Sequence, residues 1–325
     1  MKGQSDKGIR VMFYNTENLY DTEDDPATND DDFTPTGKMH WTKLRYDKKL
    51  INIYKVITAV GGWQPPEIIG LSEIENRKVL NDLFLNTPLS AFRYGIVHYE
   101  SQDPRGIDVG LAFRSDRMRV YKQEKIIIHN REHPHMKTRD ILFASFIVDK
   151  KDTLNVFVNH WPSRRRGELE SEDLRLNVAS ILRFKIDSLQ KHNEHAKILI
   201  MGDFNDEPNN ESITNLLKSQ QITQYTSDSK LFNLSYKLLQ TSQIGTHKFR
   251  GNWEILDQII VSGSLLNAAH GLSTKEQNIH IFSANFIFLK NKKNDGIRPY
   301  PTYSGPKYLG GYSDHLPIFL DLTTQ

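Results

Sequence analysis

A chain of 325 residues with 38% hydrophobic content is long enough to bury a large core, which excludes the disordered and fibrous classes. Its 42 Lys and Arg against 40 Asp and Glu leave a formal net charge of +2, so no bulk field commits it to nucleic acid and any preference must come from local patches. The absence of cysteine excludes disulfides, a thiol nucleophile and thiolate metal sites.

Met1 to Arg10 is polar and charged without an apolar h-region. No run reaches the ~20 apolar residues that a membrane span needs. A soluble protein is expected, cytoplasmic by default and extracytoplasmic if a presequence has been removed. Residues 1–8 read as a tail and 9–325 as one domain.

The first strand, Ile9 to Tyr14, runs into Asn15. Asp21, Glu23 and Asp25 then hint at a calcium loop, but Pro26 follows and the Gly and closing Glu of an EF-hand are missing, so Thr22 to Asp32 reads as a solvated loop. From Lys43 the apolar spacing of Tyr46, Leu50, Ile53, Ile57 and Val60 predicts a helix that Gly61-Gly62 stops. A strand over Glu67 to Ser72 runs into Glu73, and a short helix over Asn76 to Leu85 follows, with Glu75 placed to cap it.

Ile107 to Arg114, Val120 to His129 and Ile141 to Val148 are β-rich and separated by polar breaks, which predicts hairpin or meander pairing. The run Leu154 to Asn159 ends in His160. Trp161 to Gly167 then carries Arg164, Arg165 and Arg166, either a phosphate-gathering loop or a solvated basic one, before the long helical pattern of Glu168 to Gln190.

Ile198 to Met201 drives an apolar run into Gly202-Asp203-Phe204-Asn205, where Gly202 removes a side chain at a point of close approach. Continued extension would send Asp203 and Asn205 to one side and Phe204 to the core, although the stretch also suits an Asx-rich turn. Glu254 to Val261 reads as a strand with Asp257 in its middle, where a buried carboxylate needs a partner. Asn291 to Tyr312 reads as an irregular loop overhanging the site, with Tyr300, Tyr303, Tyr308 and Tyr312 as stacking surfaces. Last, Ser313-Asp314-His315 opens the run Leu316 to Leu320; a strand entering where its neighbours leave is an antiparallel partner, so all these polar ends can meet at one rim.

In this order, Asn15, Glu73, Val158-Asn159-His160-Trp161, Gly202-Asp203-Phe204-Asn205, Trp253-Glu254-Ile255-Leu256-Asp257 and Ser313-Asp314-His315-Leu316-Pro317 resemble the endonuclease/exonuclease/phosphatase superfamily. The resemblance implies an α/β, DNase I-like fold, a four-layered sandwich of two packed mixed sheets flanked by helices. It also implies a divalent-metal-dependent phosphoester hydrolase. The oxygen-rich set suits Mg²⁺ or Mn²⁺ better than zinc.

By the same resemblance Glu73, Asn15 and Asp314 hold the metal, Asp203 activates water, and Asn205 holds the water or the phosphate. His160 and His315 donate to phosphoryl oxygens, and Asp257 orients His315. Arg139 is similar to the strand-opening arginine of the DNase I branch that reaches toward phosphate, although Asp140-Ile141 departs from that branch. With Arg164 and Arg165 it completes the phosphate-binding set. Met201, Pro208 and the lack of cysteine argue against the inositol polyphosphate phosphatase branch, and Phe204-Asn205-Asp206 argues against the abasic-site endonucleases. A monomeric nuclease or related phosphodiesterase is expected, with a phosphoester substrate such as DNA or RNA. A phosphomonoesterase or a lipid or inositol phosphate hydrolase is the alternative, followed by a non-catalytic binding module.

Overall fold

The computed structural model describes residues 8–324 except 63, 131–133, 136, 165–166, 224–225 and 291–295, and the side chains of 168–170. Two seven-stranded sheets pack face to face. The first contains β1 (Ile9–Leu19), β2 (Ile68–Ile74), β3 (Tyr94–His98) and β4 (Asp108–Arg114), in the order Ile318–Thr324, β1, β2, β4, β3, with the short strands Leu272–Ser273 and Ile279–Ile281 on Ile318–Thr324. The second runs β5 (Met118–Ile126), β6 (Ile141–Val148), β7 (Asp152–His160), β8 (Ile198–Asp203), then Asp257–Ser262, Leu231–Asn233 and Ser219–Gln220.

Both sheets are mixed because helices carry the parallel crossovers. α1 (Lys43–Gly61) links the parallel pair β1 and β2, and α3 (Glu168–His192) links the parallel pair β7 and β8. Period two along each strand feeds two cores. Val11, Phe13, Leu199 and Met201 enter the layer between the sheets, whereas Met12 and Tyr14 meet α1 and α2 (Arg77–Leu85). Ile198 and Ile200 meet Val178, Leu182 and Ile186 of α3. Strands covered on both faces therefore read as continuous apolar runs. Each such side chain contributes about 1.5–3 kcal/mol on burial.

Several local expectations change in the folded chain. Gly62, at φ 69°, ends α1, so the Gly pair stops that helix as its sequence predicts. Asn76, not Glu75, caps α2, its side chain accepting from the Val79 N–H at 3.0 Å. Glu75 instead accepts from the Asp21 amide at the root of the acidic loop. The predicted strand Glu254 to Val261 is broken: Asn252–Glu254 pairs with His247–Phe249 in a separate hairpin, and the sheet strand begins at Asp257. What approaches Gly202 is the β7 backbone, since a Cβ there would lie 2.4 Å from the Asn159 carbonyl oxygen.

Of the tyrosine-rich segment, residues 291–295 lie outside the described residues and the rest packs on α1 and the end of β1. Glu17 accepts from the Thr302 and Tyr303 amides, and buried Lys49 and Asn52 of α1 donate to the Tyr312 and Gly311 carbonyls, which ties the segment down on α1. Tyr303 packs 6.0 Å from Trp41, and the Arg45 guanidinium lies 4.3 Å over Tyr308. Tyr300 donates to the Leu309 carbonyl, within its own loop, and Tyr312 packs on Tyr300 and Phe286.

Candidate active site

Three neighbouring strands end in register. Asp203, the last residue of β8, pairs with His160 on parallel β7 and with Asp257 on its antiparallel neighbour. Residues paired across a ladder share a face, so these three side chains stand side by side at one rim. His315 arrives from the other sheet just before the strand Ile318–Thr324, and its Nδ1 lies 2.7 Å from Asp257 Oδ2. Asp257 thus occupies a strand end rather than a strand middle, and its partner is this imidazole.

Asp203 is 2% exposed and lies between two imidazoles, 3.8 Å from His160 Nε2 and 3.8 Å from His315 Nε2. Its Oδ1 accepts from the Asn205 amide at 2.9 Å and its Oδ2 from Asn15 Nδ2 at 3.0 Å. Asn205 has φ 51°, so the chain leaves the sheet in a left-handed Asx turn while Phe204 packs 4.8 Å from Trp161 in the core. The strand therefore does not continue past Asp203 and the Asx-turn reading is the one realised, yet the turn still presents Asp203 and Asn205 to the same space.

Glu73 owes its position to a bulge. Pairing shifts between Ser72 and Ile74, Glu73 takes φ 58°, and Thr16 Oγ1 donates to the Ser72 carbonyl at 2.8 Å. A bulge re-aims one side chain at a cost of roughly 1–3 kcal/mol for a non-glycine residue in the left-handed region. The re-aimed carboxylate accepts from the Asn18 amide at 2.8 Å with Oε2, and Oε1 stands 3.9 Å from His160 Nε2.

Glu73, His160, Arg164, Asp203, Asn205, Asp314 and His315 line one cavity of about 660 Å³. Asp257 and Asn15 stand behind it. The Asn15 amide nitrogen donates to Asp203, and its oxygen accepts from the Glu17 amide at 3.0 Å.

Arg139 is the clearest departure. It is 6% exposed, and its guanidinium donates to Asp103 at 2.8 Å and to the carbonyls of His160 and Trp161. Expected to reach substrate phosphate, it instead braces the β7 end from behind. Arg164 lines the cavity but is bound to Glu254 at 2.8 Å, and Arg165 and Arg166 lie outside the described residues.

The cavity also contains residues that the sequence did not single out. Arg105, from the loop after β3, forms one wall. His247, Phe249 and Arg250 come from the hairpin ending at Glu254, with the His247 ring 4.7 Å from the His315 ring and tilted against it by 32°. The tight Arg250-Gly251 turn between short runs is the one local signal that marks this hairpin.

Burial pushes the Asp203 carboxyl above the usual carboxylate range, opposed by His315. Burial works against charge on His315, yet Asp257 and then Asp203 carry it well above the ordinary imidazole value. The charged His315 therefore contributes stability that is fully present below about pH 6.5 and is lost as pH rises through its raised value. Asp257→Asn removes the main raising charge, so the melting-temperature gap between wild type and variant should be wide near neutrality and narrow toward alkaline pH. A gap that stays constant across that range would show that the pair is not linked to a proton.

The Endonuclease/Exonuclease/phosphatase family model matches residues 10–324. No curated protein matches the chain by sequence. Among solved structures, a humanized D. rerio TDP2 superposes with a TM-score of 0.58 at 13% identity, covering 97% of this chain and 99% of that one. The human Nocturnin catalytic domain gives 0.56 at 17% identity, covering 98% and 95%. A Bacteroides thetaiotaomicron mannosyl-6-phosphatase gives 0.56 at 14% identity, covering 97% and 99%. At these identities the likeness establishes the shared fold, two mixed sheets flanked by helices.

Proposed function

Because the chain belongs to the endonuclease/exonuclease/phosphatase family, we propose that it is a divalent-metal-dependent phosphoester hydrolase, a nuclease or related phosphodiesterase acting as a monomer through one catalytic domain over residues 9–325. The observation that carries this reading is the buried Asp203 carboxylate between two imidazole Nε2 atoms, each 3.8 Å away, at a cavity that Glu73 and Asp314 enter.

The donor set fits a hard cation, since Glu73 and Asp314 offer carboxylate oxygens to the cavity and the chain has no thiol. Such an ion, Mg²⁺ or Mn²⁺, would supply positive charge to offset the charge developing on the phosphoryl group. Asp203 accepts the proton of the attacking water, a task helped by a carboxyl raised toward working pH. Asn205 orients that water, with its Nδ2 held by the Trp161 carbonyl at 3.0 Å. His160 and His315 donate to the non-bridging phosphoryl oxygens, and Asp257 keeps His315 protonated and oriented.

Arg105, Arg164 and Arg250 around the mouth favour a polyanionic ester over a small neutral one. The TDP2 neighbour solved with a single-strand DNA product adds to the case for nucleic acid.

The test is an activity panel of supercoiled DNA, single-stranded DNA, RNA, bis-p-nitrophenyl phosphate, and inositol, lipid and sugar phosphates, with EDTA and with Mg²⁺ or Mn²⁺ restored. Diester cleavage that EDTA abolishes and either ion restores is expected. Hydrolysis of monoesters alone moves the assignment to a phosphatase, and hydrolysis undiminished by EDTA removes the metal from the mechanism.

A further inference from the structure

We propose that His98, Glu100 and Asp108 form a second divalent-cation site, separate from the catalytic cavity, at the root of the loop that carries Arg105. The β3–β4 ladder assembles it: His98 ends β3 opposite Gly110, and Asp108 opens β4. The His98 side chain is 2% exposed, and its Nε2 is 3.2 Å from Asp108 Oδ2 but makes no hydrogen bond. On its other edge Nδ1 lies 3.7 Å from Glu100 Oε1. One ligand atom from each residue falls within 4.8 Å of the others.

A buried imidazole nitrogen without a hydrogen bond costs about 1–3 kcal/mol, so its retention between two carboxylates calls for a partner. A cation is that partner. Bonds of about 2.0–2.2 Å to nitrogen and oxygen place neighbouring donors about 3.0–3.5 Å apart, which matches the 3.2 Å contact and explains why that contact is off the N–H direction. One imidazole with two carboxylates selects Zn²⁺ or Mn²⁺ over Mg²⁺, which prefers an all-oxygen shell. Glu100 is open to solvent, giving an entry path, and is oriented by the Arg77 amide at the start of α2.

The site has a mechanical connection to the cavity. Asp108 Oδ1 accepts from the Ser101 amide at 2.8 Å, and Asp103 accepts from the Arg105 amide at 2.9 Å while its other oxygen holds Arg139. Fixing both ends of this loop with one ion fixes Arg105 at the cavity wall.

Calorimetric titration of Zn²⁺ into the full chain and into its His98→Gln and Glu100→Gln variants tests the proposal; the cavity donors are the same in all three, so a cation held there cancels in the comparison. The expected result is a saturable event and a rise in melting temperature, with the affinity falling beyond the 10–100-fold that loss of even an outer-shell partner causes, in both His98→Gln and Glu100→Gln. Glu100→Gln alters an exposed side chain, so it decides the matter even where His98→Gln does not fold. Absence of binding in the parent, or equal binding in the variants, overturns the site. Either result leaves the hydrolase assignment, which rests on the EDTA panel, untouched.

Discussion

Asp203→Asn is expected to lower kcat by roughly 10²–10⁴, equivalent to about 2.7–5.4 kcal/mol in the barrier. The change keeps the side-chain shape and removes the carboxylate that lies between the two imidazoles. Asp203 accepts on both oxygens, from the Asn205 amide and from Asn15 Nδ2. An amide can accept on one only, so its NH₂ group would face a donor. One buried hydrogen bond is lost, at about 1–3 kcal/mol of stability. The two effects separate experimentally: kcat should fall far more than the folded fraction at assay temperature, with KM little changed. Near-wild-type kcat in the folded variant would remove Asp203 from proton transfer and direct attention to Glu73.

Arg139→Ala should destabilise the fold by about 3–5 kcal/mol, the usual consequence of leaving one member of a buried ion pair alone. Asp103 is 6% exposed and would lose its 2.8 Å partner, and the carbonyls of His160 and Trp161 would lose their donors. His160 sits on the strand end that Arg139 braces, so kcat should fall as well. Arg139→Lys restores the charge but not the planar fork that serves three acceptors at once, so it should recover part of the stability. Urea unfolding of the three proteins, followed by kinetics on those that remain folded, is the measurement. Wild-type stability in Arg139→Ala, with only KM raised, would return Arg139 to the substrate phosphate.

Much of this molecule was determined by local sequence. Continuous apolar runs marked β1, β2, β7 and β8 because strands buried on both faces have no polar side to show. The helix from Lys43 and its glycine stop follow from spacing and from the left-handed conformation that Gly62 adopts. The polar residues terminating those runs, Glu73, His160, Asp203 and Asn205, reach one cavity because the two packed sheets end at a common rim, with a bulge re-aiming Glu73. Asp314 and His315 join them through the antiparallel entry of the last strand.

Tertiary structure decided everything that depends on a partner distant in the chain. Arg139 resembles a strand-opening arginine that reaches toward phosphate until Asp103 and two backbone carbonyls enclose it. Asp257 reads as lying inside a run until its pairing with Asp203 shows that the sheet strand starts there. The tyrosines of residues 300–312 look available for stacking until Glu17, Lys49 and Asn52 tie their loop to α1. His247, Arg105 and Arg250 lie on loops, where no periodicity reports direction, and only the packing of those loops against the rim brings them to the cavity. Period and punctuation set which residues are inside or at an end, because those depend on backbone geometry alone. Which end faces which partner depends on contacts between residues far apart in sequence, and these form only in the folded chain.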